Sequence, residues 1–178
     1  LSADRPSLLP GGGSPELVSV PADSPYETIE DLVSAAQGAP GTIPGAASGA
    51  GSIHHLNLLA LQNGADAEIL FIPYQGSAPG QEAAIAGEGE FVVTSLAEQA
   101  PLIEGGQLRP LAMLTPDSAE IAGMTVPSAF DMYEGLDQYL PLMQAIGFAV
   151  HSSAPDDVKD VLGEAFSQAM QSATVATW

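Results

Sequence analysis

The sequence predicts an α/β domain, with a mostly parallel sheet flanked by helices. Two observations predict this class. Short apolar runs of strand length alternate with segments whose apolar residues recur at helical spacing, and Ser- and Gly-rich turns lie between each run and the helix that follows. Strands that alternate with helices in this way are typical of parallel sheets. With 178 residues, of which 46% are hydrophobic, the chain is long enough to build such a core.

The N-terminal part contains an irregular segment, a strand and a helix. Residues 1–14 carry repeated Pro and Gly interruptions, which predict an irregular lead-in. The apolar run Glu16–Pro21 predicts a strand. Ser24 is a good N-cap and Glu27 completes a capping box with it, so we expect a helix that begins there and ends at Gly38.

Three strand–turn–helix units follow. Their strands are predicted at Thr42–Ala46, Ala67–Pro73 and Glu90–Thr94, and the helices after them end near Gly64, Gly87 and Gly105. The third helix opens at Ser95, and Glu98 completes a capping box with that serine. A further strand is predicted at Gln107–Thr115, where Pro110 places it at a sheet edge or a bulge.

The C-terminal part departs from this alternation. We expect a short helix at Ala129–Glu134 and a buried strand at Gly147–Val150. Pro155 opens a final helix, and from Val158 to Met170 its apolar residues form an unbroken stripe at helical spacing. A stripe of this width must pack against another surface.

The amino-acid composition restricts the classes of molecule that this protein can bind. Asp plus Glu number 22 against 3 Lys plus Arg, which gives a formal net charge of −19 and argues against nucleic acid or an anionic membrane surface. No apolar run approaches the roughly 18 residues of a membrane span. Cysteine is absent, which excludes disulfides and thiolate chemistry. The chain begins at Leu1 without Met, so we expect a processed or truncated product.

Three predicted helix starts are rich in Ser and Gly, namely Ser48–Ser52, Gly76–Ala78 and Thr94–Ser95. Ligands of such sheets bind at the carboxyl ends of the strands, where these helices begin. Unpaired backbone N–H groups, the helix dipole and neutral hydroxyls together favour an anion without any Arg or Lys. The alternative is that these serines only cap their helices.

Two adjacent histidines, His54 and His55, follow Ser52. Ser52 and His55 are close enough in sequence to touch, which suggests a small serine hydrolase, but no G-x-S-x-G elbow precedes them and no acid can be assigned. Adjacent histidines on a helix point in different directions, so we predict no metal site. We expect one histidine to pack or hydrogen-bond locally and the other to line a cleft. No cofactor motif is present.

Five segments resemble elements of the tripartite tricarboxylate transporter receptors, the Bug-type solute-binding proteins. Gly49–Leu56 (GAGSIHHL) resembles the family's G-x-G-[ST]-x-x-H-L element, and Pro73–Pro79 (PYQGSAP) its P-Y-[KQ]-G-x-A-P loop. Gly105–Ala112 is similar to its G-x-L-R-x-L-A strand. Val126–Pro127 and Glu134–Leu136 stand where the family has a V-P-T turn and a G-L segment.

The resemblance implies a periplasmic, two-lobed Venus-flytrap receptor of the type II periplasmic-binding-protein fold, which is not an enzyme. Such a receptor closes on a small di- or tricarboxylate and delivers it to membrane transporter subunits. It implies that residues 1–23 are a lead-in and inter-lobe strand, 24–139 the second ligand-binding lobe, and 140–178 the returning strand and helix of the first lobe. The exposed stripe of the final helix then predicts self-association of this partial chain.

The resemblance also assigns the ligand site. Backbone N–H groups at Ser77–Ala78 and near Gly51–Ser52 are expected to hold the carboxylate, while other residues shape the site. Those residues are Ser48, His55, Tyr74, Gly76, Thr94 and Ser95. Arg109 is expected to stabilise the surface. Two other classes stay open beside the receptor: the hydrolase using Ser52 and His55, and a structural interaction module that binds no small molecule.

Overall fold

A computed structural model describes residues 7–139 and 142–171, which fall into two compact units. The larger unit spans Ser14–Gln144, and the smaller contains residues 7–13 and 145–171. In chain order the strands are β1 (Ser7–Ser14), β2 (Glu16–Pro21), β3 (Pro44–Ser48), β4 (Leu70–Tyr74), β5 (Phe91–Ser95), β6 (Leu108–Met113), β7 (Ala119–Ile121), β8 (Met124–Val126) and β9 (Gln144–Val150). The α-helices are α1 (Ile29–Gly38), α2 (Ile53–Gly64), α3 (Ser77–Ile85), α4 (Leu96–Glu104) and α5 (Asp156–Met170).

The larger unit is built on a five-stranded sheet with the order β4-β3-β5-β2-β6. β3 pairs in parallel with β4 and β5, whereas β2 pairs antiparallel with both β5 and β6. Four strands therefore run in one direction and β2 runs against them. The predicted mostly parallel sheet flanked by helices is confirmed, and the reversed strand inside it is a new feature.

Pro110 lies at a sheet edge and beside an irregularity, as predicted. β6 is the last strand of the sheet, and its register with β2 shifts between Val18 and Ser19, which face Ala112 and Pro110. Proline has no N–H to donate to a ladder, so an edge strand with a register shift accommodates it.

The sheet buries apolar residues on both faces. Val18 and Phe91 belong to a large cluster that also holds the buried face of α1, and Leu17 and Val92 belong to a second cluster. Neighbouring strand residues thus enter opposite clusters, as the two-residue period of a strand requires. Each fully buried Leu, Val or Phe stabilises the fold by about 1.5–3 kcal/mol.

The predicted start of the first helix was wrong by four residues. Thr28, not Ser24, is the N-cap of α1, and Asp31 completes its capping box. The backbone before it is not helical, and Arg109 donates hydrogen bonds there to the carbonyls of Ala22, Ser24 and Tyr26. The Arg109 guanidinium therefore stabilises the β2–α1 connection, in agreement with its predicted structural role.

The smaller unit differs from two predictions. Residues 7–14 were expected to be irregular but form β1, which pairs with β9 in a two-stranded sheet. The strand expected to be buried, Gly147–Val150, is the second half of β9, and 61% of Phe148 is exposed there. Residues 1–6 of the predicted lead-in, 140–141 at the predicted start of the third segment, and 172–178 lie outside the described residues.

The final helix forms as predicted, and its apolar stripe is exposed. No residue of α5 is buried, and Val161 is 65% exposed. Phe166 contacts Phe148 edge to face, with ring centroids 4.7 Å apart. Among the described residues, no helix combines the length and the apolar character that crossing a bilayer requires.

The turn-rich stretch before β9 contains more regular structure than expected. β7 and β8 form a small antiparallel hairpin. The single short helix predicted at Ala129–Glu134 is instead two 3₁₀ segments, Ala129–Asp131 and Glu134–Tyr139.

Candidate functional site

The three Ser- and Gly-rich helix starts lie at one edge of the sheet. β3, β4 and β5 are parallel, and their last residues are Ser48, Tyr74 and Ser95. α2, α3 and α4 each begin within five residues of the end of one of these strands. Their N-termini therefore lie at the carboxyl edge, where such sheets bind ligands. The whole edge belongs to the larger unit.

A hydrogen-bonded chain of side chains links the helix starts. The Oγ atoms of Ser48 and Ser77 are 3.3 Å apart, which joins the end of β3 to the first residue of α3. Ser77 Oγ lies 3.1 Å from Nε2 of His54, in the first turn of α2. That Nε2 also lies 3.6 Å from Oε2 of Glu98, in the first turn of α4.

The chain ends in a buried acid that sequence analysis did not single out. Glu16 Oε2 is 2.7 Å from His54 Nδ1, and the two residues are 0% and 4% exposed. Glu16 is the first residue of β2, and β2 runs antiparallel to β5 with Glu16 facing Ser95. Its strand direction therefore brings Glu16 to the carboxyl edge. Its one distinguishing feature in the sequence is a charge at the start of an apolar strand.

The pKa values of this pair are both raised. Burial raises the pKa of the Glu16 carboxyl, and the contact with His54 offsets part of that rise. Burial lowers the pKa of His54, but the hydrogen bond and charge of Glu16 and the charge of Glu98 outweigh it, so the pKa of His54 is raised. The pair consequently binds a proton more tightly than isolated side chains do.

The N-terminus of α3 has no side-chain cap. Its N-cap is Gly76, whose φ of +114° suits glycine and which makes no side-chain capping bond. Pro79, at the third helical position, has no N–H to donate. The N–H groups of Ser77 and Ala78 thus stand at an uncapped helix end, and Ala78 is exposed.

The donors expected at the Gly51–Ser52 loop are used within that loop. Gly51 N–H donates to His55 Nδ1 at 3.1 Å, and Ser52 N–H donates to the Gly49 carbonyl at 3.0 Å. The His55 ring stacks on Phe71 with centroids 4.0 Å apart. His55 therefore supports the loop, and the two N–H groups predicted to hold a carboxylate have hydrogen-bond partners inside the protein.

The same contacts argue against Ser52 and His55 as the predicted hydrolase pair. Ser52 Oγ caps α2 by accepting the His55 backbone N–H at 3.2 Å, and the His55 ring bonds to Gly51. A nucleophile needs a hydrogen bond to its base, and these two side chains do not form one. At this edge of the sheet, the Ser77 hydroxyl contacts a histidine ring, that of His54.

Thr94 and Ser95, which were expected to shape selectivity, are both fully buried. Thr94 Oγ1 accepts a hydrogen bond from Gln81 at 2.9 Å, and Ser95 Oγ donates to Glu98 Oε2 at 2.7 Å. Ser95 also forms the predicted capping box with Glu98. Both hydroxyls form hydrogen bonds within the protein, and the part of these residues in ligand selectivity stays a prediction.

Tyr74 is partly exposed at the end of β4, and its hydroxyl lies 3.5 Å from Glu88. Its ring covers Gly80, where an added Cβ would lie 3.5 Å from Tyr74 Cδ2. In the described parts of the chain, no group of three or more His, Asp or Glu side chains is arranged to hold a metal ion.

Comparison with known protein families shows what this chain is similar to. The model of the family described as "Tripartite tricarboxylate transporter family receptor" matches residues 9–177. The chain belongs to this receptor family. The family resemblance that the sequence motifs predicted is thereby confirmed.

Relatives of this receptor chain include proteins of related sequence and of related fold. A UPF0065 protein in the tcbD-tcbE intergenic region of Pseudomonas sp. (strain P51) is 33% identical over 103 residues, which cover 58% of this chain and 31% of that protein. MatC from Rhodopseudomonas palustris with bound malate has a TM-score of 0.83 at 18% identity, over 98% of this chain and 57% of MatC. An R. palustris structure with adipate has a TM-score of 0.79 at 24% identity, over 97% of this chain and 56% of that one.

The receptor chain thus spans just over half the length of these solved structures and about a third of the first relative. The identities to the solved structures are low, so they support the fold alone: the predicted fold of periplasmic binding proteins is confirmed.

Glu16, His54 and Ser77 are connected in the order acid–histidine–serine, as in serine hydrolases. A general base needs an unprotonated Nε2, however, and Glu98 faces Nε2 and favours its protonated form. The arrangement is therefore better suited to holding a proton than to abstracting one from Ser77.

Proposed function

We propose that this chain is the ligand-binding part of a periplasmic receptor that binds a small di- or tricarboxylate and delivers it to membrane transporter subunits. The observation that carries the proposal is the uncapped N-terminus of α3, placed beside the hydroxyls of Ser48 and Ser77 in a chain of this receptor family. Malate and adipate in two proteins of the same fold support the carboxylate class.

Neutral donors suffice for such a ligand. The N–H groups of Ser77 and Ala78 lie at the start of α3, where the hydroxyls of Ser48 and Ser77 are 3.3 Å apart. A helix N-terminus favours an anion by about 0.3–1 kcal/mol when exposed and up to ~2 kcal/mol when partly buried. Hydrogen bonds to a charged acceptor each add about 1.5–3 kcal/mol. Two or three such hydrogen bonds together contribute about 3–9 kcal/mol, which has to exceed the cost of association for the site to bind.

The basic side chains that the structure describes bind other groups, away from the start of α3. Arg109 faces Val20, at the other end of β2 from Glu16, and its guanidinium donates to three backbone carbonyls. Lys159 pairs with Asp156 in the smaller unit. The proposed site therefore consists of Ser48, Gly76, Ser77 and Ala78 as the ligand-facing group, with Tyr74 beside them. Gly51, Ser52, His55, Thr94 and Ser95 support it.

The decisive test deletes one N–H group. Isothermal titration of malate, adipate and citrate identifies the carboxylate that binds. Ala78→Pro removes the Ala78 N–H and should abolish that binding, whereas the matched control Ala78→Gly keeps the N–H and should bind within a few-fold of wild type. Arg109→Gln should also stay within a few-fold. Loss of binding in Arg109→Gln with retention in Ala78→Pro would place the anion at Arg109 and contradict the proposal.

The two competing classes give different results in the same preparation. A hydrolase cleaves a chromogenic ester, and its activity falls in Ser77→Ala or Ser52→Ala. An interaction module binds none of the carboxylates. A receptor binds a carboxylate and leaves the ester intact. Periplasmic location is tested separately, by release of the protein from its native cells on osmotic shock.

A further inference from the structure

We propose that Glu16 and His54 are positioning residues that decide whether the Ser77 hydroxyl donates or accepts a hydrogen bond, so that carboxylate binding is coupled to one proton held by this pair. The inference rests on the proposed carboxylate site at Ser77. It concerns residues outside the resembling motif positions, since His54 occupies one of the variable places of Gly49–Leu56.

The geometry gives His54 one neighbour on each nitrogen. Nδ1 lies 2.7 Å from the buried Glu16 carboxylate, and Nε2 lies 3.1 Å from Ser77 Oγ. Both side chains of the pair are almost completely buried. Solvent therefore cannot replace either contact, and the state of one nitrogen fixes what the other can do.

The protonation state of the pair sets the direction of the hydrogen bond between His54 and Ser77. When the pair holds its proton, His54 either carries both N–H groups beside an ionised Glu16 or accepts the Glu16 O–H at Nδ1. In both cases Nε2 carries hydrogen and donates to Ser77 Oγ, which leaves the Ser77 O–H free to donate to a carboxylate. The outcome does not depend on which partner holds the shared proton.

Loss of that proton reverses the bond. Glu16 is then ionised, His54 keeps its hydrogen at Nδ1 to donate to Glu16, and Nε2 has only a lone pair. The Ser77 O–H must point at Nε2, so Ser77 presents oxygen lone pairs to the ligand carboxylate. The site loses one donor to a charged acceptor and gains a repulsive contact.

The groups that face the pair favour the protonated state. Glu16 comes from β2, Glu98 from α4 and Ser77 from α3, while the neighbouring His55 stacks on Phe71. Two carboxylates thus face one imidazole. Glu16 Oε1 is buried without a hydrogen-bond partner among the described residues, and an unpaired buried charge is costly. A proton on the pair relieves that cost.

The test measures affinity against pH. Malate and adipate are titrated into the protein from about pH 6 to about pH 9, where their carboxyl groups are ionised. We expect the dissociation constant to rise with pH, by up to about tenfold per pH unit around the pair's transition and about 10- to 100-fold in all. A constant affinity over this range would overturn the inference and leave the proposed function intact.

Four variants separate positioning from a merely structural role. His54→Gln keeps a donor for Ser77 but cannot titrate, so its affinity should not change with pH. Glu16→Gln removes the charge that stabilises the proton, so its transition should move to lower pH. Ser77→Ala should bind at all pH values as weakly as wild type does at high pH. His151→Gln, in the smaller unit, is the matched histidine control and should keep the wild-type profile. A full pH dependence in His54→Gln would contradict the proposal.

A ligand-free measurement keeps the two proposals distinguishable. ¹⁵N spectra of the imidazole rings report whether Nε2 of His54 carries hydrogen, and the folded state of each variant is checked by its melting transition. If no carboxylate binds at any pH, the proposed function fails. The spectra still decide the network: Nε2 should carry hydrogen at neutral pH and lose it in a single step, and an Nε2 that is bare at neutral pH would overturn the inference.

Discussion

Gly135 packs directly against the backbone of Gly64. A Cβ added at Gly135 would lie 2.5 Å from the Gly64 carbonyl oxygen and 2.9 Å from its Cα. This contact joins the end of α2 to the second 3₁₀ segment and seats Leu136, which is 1% exposed, in the large core cluster. The Gly135–Leu136 pair of the receptor motif thus has a packing reason: no side chain fits between the two backbones.

We therefore predict that Gly135→Ala destabilises the protein. The new Cβ meets backbone atoms, which cannot rotate away, so the free energy of unfolding should fall by about 1–3 kcal/mol. Gly38→Ala is the control, because nothing lies within 4 Å of its added Cβ. Denaturant melts of both variants provide the measurement. Equal stability of the two would show that α2 and the 3₁₀ segment separate at little cost.

Stability should also decrease as pH rises above neutrality. The pKa of His54 is raised on folding. Its stabilising contribution is therefore complete below the unfolded pKa of about 6.5 and is lost as pH rises through the folded pKa. The raised pKa of Glu16 acts in the same direction. The melting temperature should fall from about pH 6 to about pH 9 and should fall less in His54→Gln. An equal decline in both proteins would assign the effect to other groups.

Salt should stabilise the protein. The net charge is −19 with three Lys and Arg residues in the chain, so molar NaCl screens more repulsion than attraction. The ion pairs in the described residues are those of His54 and the exposed pair of Lys159 with Asp156. We expect the melting temperature to rise from low salt to molar NaCl. An unchanged or lower value would mean that the acidic residues are too widely spaced to repel.

The exposed apolar face of the smaller unit should drive self-association of this chain. Phe148, Val158, Val161 and Leu162 are 42–65% exposed on β9 and α5. Sedimentation should show a dimer whose population rises with concentration, and Val161→Asp should shift it to monomer. Leu70→Asp, on the exposed face of β4 in the larger unit, is the control and should not. A strictly monomeric wild type at millimolar concentration would contradict the prediction.

The sequence by itself determined the features that depend on neighbouring residues. The apolar spacing predicted the order of strands and helices from β2 to β6, since a period of 2 or 3.6 residues is a local property of the backbone. The Ser95–Glu98 capping box formed as predicted because its partners are three residues apart. Pro110 predicted an edge strand because proline has no N–H and cannot donate to a hydrogen-bond ladder in any fold.

Only the tertiary structure decided which polar groups meet. α1 begins at Ile29, and the carbonyls of Ser24 and Tyr26 before it accept hydrogen bonds from Arg109, which is more than eighty residues further along the chain. Glu16 reaches His54 because β2 runs against its neighbours, and strand direction is set by pairing across the sheet and not by the residues of the strand. The N–H groups of Ser77 and Ala78 lie at an uncapped helix end, whereas the Gly51 N–H donates to Nδ1 of His55. The His55 ring stacks on Phe71, which comes from another strand.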